Sequence, residues 1–109
     1  MRTAARVDTN HGEIREALRD LGWYVFDSSG VGHGFFDLIC CKGGRVVFVE
    51  VKDGSKKPSK RKLTSDEAVI HARFRAAGAE VVLVERLADL AQFERPHTGY
   101  YDAKTAAGR

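Results

Sequence analysis

Cysteine is scarce in this chain of 109 residues, and the two that occur, Cys40 and Cys41, are adjacent. Successive side chains on a strand point to opposite faces, and nothing else in the sequence offers either thiol a partner at disulfide or zinc spacing. Both are expected as small core hydrophobes. Long apolar runs are missing too. The longest are of strand length and the N-terminus is polar, so neither a signal peptide nor a membrane span is expected, and the reading is a soluble, cytoplasmic protein with no membrane partner. Repeats and interdomain linkers are absent. With 43% hydrophobic residues the chain supports one domain with one modest core. That domain is expected over residues 1–95, followed by a loose tail over 96–109 that lacks a periodic apolar pattern.

What is present reads as alternating helices and strands. Asn10 followed by Glu13 resembles a capping box, and Ile14, Ala17, Leu18 and Leu21 form an i, i+3, i+4, i+7 stripe, which predicts a helix over 11–21 that Gly22 ends. A strand is predicted over 23–27. Residues 28–34, Ser-Ser-Gly-Val-Gly-His-Gly, then make a glycine-rich connection. Its three glycines serve either close approach to a ligand or a flexible link. Thr64-Ser65-Asp66-Glu67 is a second capping box, opening a helix to about residue 77 that Gly78 terminates. A fourth strand over 80–84 and a short helix over 87–93 complete the pattern. The strands on either side of Gly43-Gly44 are apolar on both faces, which calls for helices on both sides of the sheet.

Net charge is +3, yet the excess is local. Residues 52 to 62 carry six cations and one anion, leaving the rest of the chain at −2. Gly54, Ser55, Pro58 and Ser59 argue against regular structure there, so Lys56, Lys57, Lys60, Arg61 and Lys62 are expected on a mobile basic segment. Such a segment suits the phosphate backbone of nucleic acid.

The most informative residues are Asp37 and Glu50-Val51-Lys52. Two strand-like runs meet at Gly43-Gly44, the signature of a two-residue hairpin. If those glycines are the central turn residues, Lys42 faces Arg45 and, counting outward, Asp37 faces Glu50, with Cβ atoms roughly 4.5–5.5 Å apart. Lys52, two residues beyond Glu50, shares their face. Opposed carboxylates in an apolar sheet repel each other and are poorly solvated, so a cation between them is expected, and oxygen donors suit Mg²⁺ or Mn²⁺. An ion pair with Lys52 alone is the plainer alternative.

Over residues 10 to 93, the order helix, strand, glycine loop, hairpin with Asp37 and Glu50-Val51-Lys52, then Leu63-Thr64 opening a helix and a last strand, resembles the PD-(D/E)XK nuclease superfamily. Within it the chain is most similar to small stand-alone VRR-Nuc domains of phages, and more distantly to archaeal-type Holliday junction resolvases. The resemblance implies an α/β fold with a restriction-endonuclease-like αβββαβ core, a mixed central sheet flanked by helices. It also implies a bacterial or phage-infected host cell and a Mg²⁺- or Mn²⁺-dependent nuclease hydrolysing DNA, duplex or branched, as a homodimer. Asp37 and Glu50 would hold the metal with the Val51 carbonyl, and Lys52 would orient the attacking water and stabilise charge on the phosphate. Glu13 falls where many members keep a metal-binding glutamate of the first helix, although it also completes a capping box. Glu67 occupies a position where relatives place a glutamine near the substrate, and it too completes a capping box. His33 is a candidate phosphate contact or an exposed loop residue, and Ser28 and Ser29 are kept as site candidates without an assigned role. Phe36 replaces the family's proline before the aspartate, a change expected to cost little. The alternative reading is a nucleic-acid-binding module that keeps the fold without turnover.

Overall fold

A computed structural model describes residues 8 to 94, so the tail expected over 96–109 lies outside the described residues. Two helices, α1 (His11–Asp20) and α2 (Ser65–Ala76), flank a sheet of four strands, β1 (Tyr24–Asp27), β2 (Leu38–Lys42), β3 (Arg45–Val51) and β4 (Glu80–Val84). Strand order follows the sequence. β1, β2 and β3 pair antiparallel, and β4 adds parallel to β3 after the chain crosses through α2. The short helix expected over 87–93 is a 3-10 segment, Leu87–Glu94. Among the described residues no helix is long and apolar enough to cross a membrane.

The hairpin register follows from its turn. Gly43 and Gly44 adopt φ of 57° and 82°, the left-handed values a two-residue hairpin loop requires, and the ladder runs from Lys42 opposite Arg45 to Leu38 opposite Val49. The ladder ends there: the Asp37 amide donates to the Val49 carbonyl at 2.9 Å, and the expected pairing of Asp37 with Glu50 is not part of the register. The alternation this imposes sends Val25, Leu38, Cys40, Val47, Val49, Val51, Val82 and Val84 to one face, where they pack with Ile14 and Leu18 of α1 and with Trp23, Leu90 and Phe93. Each such side chain removed from water contributes about 1.5–3 kcal/mol. Cys40 is buried in this layer as a free thiol, and Cys41, also free, is half-buried on the other face.

That other face is covered unevenly. Phe74 and His71 of α2 pack on Phe36 and Phe48, while Tyr24, Phe26 and Val46 remain 69, 54 and 46% exposed. Helices thus lie on both sides of the sheet, as the apolar strands required, but α2 shields only part of its side.

Two local expectations need correcting. Thr64 and Glu67 do form a capping box, yet Asn10 and Glu13 do not. The Asn10 amide donates instead to the carbonyls of Lys52 (3.1 Å) and Glu85 (3.0 Å), tying the start of α1 to the ends of β3 and β4. The basic segment after β3 is also not the unstructured stretch its composition suggested. Asp53 accepts from the amide and hydroxyl of Ser55 and from Thr9, residues Pro58–Lys60 form a 3-10 turn, and Arg86 donates to the Gly54 carbonyl at 2.7 Å. Gly54 is required there, because a Cβ would lie 2.6 Å from the Glu85 carbonyl oxygen.

Candidate active site

At the C-terminal end of β3, on the α2 side of the sheet, an open recess of about 530 Å³ is lined by Asp37, Glu50, Val51 and Lys52, with Asp8, Lys56, Lys60, Thr64 and Glu67 around them. Its charged core comes from two elements whose positions the hairpin and the capping box fix. Asp37 ends the glycine-rich connection just before β2, and its Oδ2 accepts the Val51 amide at 2.7 Å, which orients the carboxyl across the strand pair toward Glu50. Ser28 holds that segment from behind: its hydroxyl donates to the Phe36 carbonyl at 2.8 Å and its amide to the Asp37 carbonyl at 2.9 Å. The loop glycine Gly34 allows another close approach, since a Cβ there would meet the backbone of Asp66 and Glu67 at 2.8–2.9 Å. The approach is to the first turn of α2, so the glycine serves packing.

Glu50 is 2% exposed. One oxygen, Oε1, lies 3.1 Å from His71 Nε2, and the other, Oε2, 3.8 Å from Lys52 Nζ. Lys52 Nζ in turn donates to Glu67 Oε1 at 2.8 Å, and the same oxygen accepts the Thr64 amide at 2.9 Å. Glu67 therefore caps α2, as expected, and anchors the lysine at once.

Electrostatics follow from this crowding. Burial, then the charges of Asp37 and Glu67, push Glu50 up to about 10. Burial also raises Asp37, against the opposing effect of its bond from Val51. Burial disfavours the ammonium of Lys52, but the hydrogen bond and charge of Glu67 outweigh it and the net shift is upward. Burial likewise works against the Glu67 carboxylate, and the bonds from Lys52 and Thr64 overcome it and lower its pKa. His71 is lowered, chiefly by burial. Glu50 and Glu67 thus share one lysine, and Asp37 and Glu50 crowd each other electrostatically. Without another cation the pair must retain a proton.

Of the residues singled out in the sequence, Asp37, Glu50, Val51, Lys52, Lys56, Lys60 and Glu67 come together here. Others do not. Glu13 is exposed and faces a separate hollow beside Asp53 and Arg86. Arg61 is half-buried and engaged within the chain, donating to the Lys56 carbonyl at 2.7 Å and to Glu85 at 3.0 Å, where it holds the loop in shape. Lys57 and Lys62 are exposed outside the recess, as is His33, a non-glycine residue at φ 56°. Ser29 bonds to Asp27 through both its amide and its hydroxyl, in a cluster that also takes His11 and Arg15, and does not line the recess.

Two residues of the site are not among the sequence candidates. Asp8, just before α1, lines the recess and lies 3.6 Å from Lys56. No periodic pattern marks a residue that precedes its helix. His71 has a faint signal, for it follows Glu67 by four positions and so shares its face of α2.

Among the described residues no three acidic, imidazole or thiol side chains stand together as a preformed metal cage. Mg²⁺ and Mn²⁺ do not need one, because they bind through one or two carboxylates and keep waters and substrate phosphate as the remaining ligands. The Asp37–Glu50 pair, crowded and protonated in the absence of a cation, fits that donor set. The sequence matches no family model and no curated protein.

Proposed function

We propose that this protein is a metal-dependent nuclease that hydrolyses phosphodiester bonds in duplex or branched DNA, on a restriction-endonuclease-like core. The observation that carries this reading is the convergence of Asp37, Glu50 and Lys52 on the floor of one open recess with Lys56 and Lys60 at its rim. An αβββαβ element order with three antiparallel strands and a parallel fourth supports it.

Mg²⁺ or Mn²⁺ would be held by Asp37 and Glu50 with the Val51 carbonyl, and Asp8 takes the supporting acidic role that the sequence had suggested for Glu13. When bound, the ion supplies Lewis-acid stabilisation of charge on the phosphoryl group. Lys52 does the rest of the electrostatic work. Anchored by Glu67 and lining the recess, its ammonium would stabilise the negative charge that grows in the transition state, and a preorganised cation needs no reorganisation at the moment of reaction. Lys56 and Lys60 hold the flanking backbone, with Lys57 and Lys62 extending the basic track. The uncovered apolar patch of Tyr24, Phe26 and Val46 supports pairing of two copies, which would present two recesses to a branched substrate.

Cleavage of duplex, single-stranded, flapped and four-way DNA with Mg²⁺ or Mn²⁺ tests the reading. Activity is expected in the native protein and its loss in Asp37→Ala and Glu50→Ala; undiminished cleavage by either variant would sink it.

A further inference from the structure

The carboxyl of Glu50 has two chemically equivalent oxygens, and the surroundings treat them differently. Oε1 turns toward α2 and meets His71 Nε2 at 3.1 Å, whereas Oε2 is the oxygen nearer Lys52, at 3.8 Å. A carboxylate free to rotate about its last torsion would not keep that distinction, since such sp²-terminal torsions are broad. Something must hold it.

His71 is itself held. It is 2% exposed, and its ring stacks on Phe36 with centroids 4.8 Å apart and planes 25° from parallel. Phe36 is fully buried, caged by Phe35, Phe48 and Phe74 at centroid distances of 5.4, 5.2 and 5.0 Å. Tilting the imidazole would break that stack, so the aromatic cage fixes the ring plane, and within that plane Nε2 is the atom turned to Glu50. Because Phe36 is also the residue before Asp37, one ring underlies both carboxyls: Asp37 through the backbone and Glu50 through His71.

We propose that His71 is a positioning residue which engages one oxygen of Glu50 so that the other is presented to the recess. The inference rests on reading the recess as a metal-dependent nuclease site. His71 touches neither substrate nor metal in this account; it acts through Glu50, as outer partners of ligating carboxylates do.

Two substitutions separate hydrogen bonding from packing. His71→Phe keeps a flat ring over Phe36 and removes the polar nitrogen. His71→Gln removes the ring but places an amide nitrogen the same number of bonds from Cβ as the Nε2 it replaces. Mn²⁺ affinity of the full chain is measured by calorimetry beside kcat and KM on a DNA substrate, with circular dichroism to verify folding. His71→Phe is expected to weaken Mn²⁺ binding roughly 10–100-fold and to lower kcat, with KM for DNA nearly unchanged because the basic loop is intact. His71→Gln is expected to recover most of both losses. If His71→Phe does not fold, His71→Leu takes its place as the variant without a polar nitrogen. Native Mn²⁺ affinity in the folded donor-free variant, or a Gln variant worse than it, would overturn the proposal and leave His71 a packing residue. A native protein that binds Mn²⁺ and cleaves while the donor-free variant matches it overturns this inference alone; a native protein that neither binds Mn²⁺ nor cleaves overturns the nuclease reading together with it.

Discussion

The two faces of the sheet are built on opposite terms. On the α1 side, Val25, Leu38, Cys40, Val47, Val49, Val51, Val82 and Val84 meet Ile14, Leu18, Leu90 and Phe93 in a layer whose core is apolar. On the α2 side, equally enclosed positions are given to Glu50, His71 and Lys52, which are 2, 2 and 8% exposed. Apolar side chains of similar volume would be as stable or more so at such positions, because desolvating charges costs more than their pairing returns unless every partner is in place. One face is therefore apolar throughout its core, and the other sets a cluster of charges beside its aromatic packing. Strongly shifted titratable groups gathered in a recess are the physical ground for proposing a function there.

The sharpest way to break the comparison is to substitute one residue from each face. Lys52→Ala is expected to lower the turnover rate by roughly two or more orders of magnitude, the scale for removing one oriented charge from a phosphoryl transition state, with little effect on DNA affinity. Leu18→Ala on the apolar face is expected to do the reverse, costing about 2–5 kcal/mol in denaturant unfolding while kcat of the folded fraction is retained. A Lys52 variant that unfolds the protein but spares the rate would erase the distinction.

A smaller effect sharpens it. Glu50 has a folded-state pKa of about 10 against an ordinary 4.5, so the native state binds a proton that the unfolded state releases. Its contribution to stability is complete below about pH 4.5 and is lost as pH rises toward 10. Glu67 has the opposite sign: its folded pKa is depressed, so its contribution is present above its ordinary value and fades as pH falls. Thermal melts in EDTA are expected to show stability declining from neutral to alkaline pH, with the slope reduced in Glu50→Gln. A slope indifferent to that substitution would mean that the carboxyl is not buried against its neighbours.

The smallest effect concerns the basic loop. Lys60→Ala with Lys62→Ala should weaken binding to every DNA tested and flatten log affinity against log salt by about 0.9 for each duplex phosphate that is no longer neutralised. Arg61→Ala should leave that slope nearly intact, because its guanidinium is engaged with Glu85 and the Lys56 carbonyl. Filter binding across a salt series reads both.

Legibility from sequence divided along physical lines. Gly43-Gly44 defined a two-residue turn, and the turn set the register from Lys42 opposite Arg45 to Leu38 opposite Val49; each step is local. The Thr64–Glu67 capping box was legible for the same reason. Asn10–Glu13 had the same local signature and failed, because tertiary acceptors at Lys52 and Glu85 took the asparagine amide. The loop was misjudged in a similar way, since Arg61 and Arg86 fasten it to groups distant in sequence. Phe36, read as a harmless replacement for proline, is the platform under His71. Partners brought by the fold were invisible; spacing within one turn or hairpin was not.

The most direct test combines stability and activity in Glu50→Gln, an isosteric change at the centre of the charged cluster. Melting temperature is measured in EDTA and in millimolar Mn²⁺, beside DNA cleavage. The expected result is a metal-free protein at least as stable as the native one, no rise in melting temperature on adding Mn²⁺ where the native protein gains one, and no cleavage. A variant that melts well below the native protein in EDTA, yet still gains stability from Mn²⁺ and cuts DNA at the native rate, would contradict the account: the buried glutamate would then be serving the fold and not the chemistry.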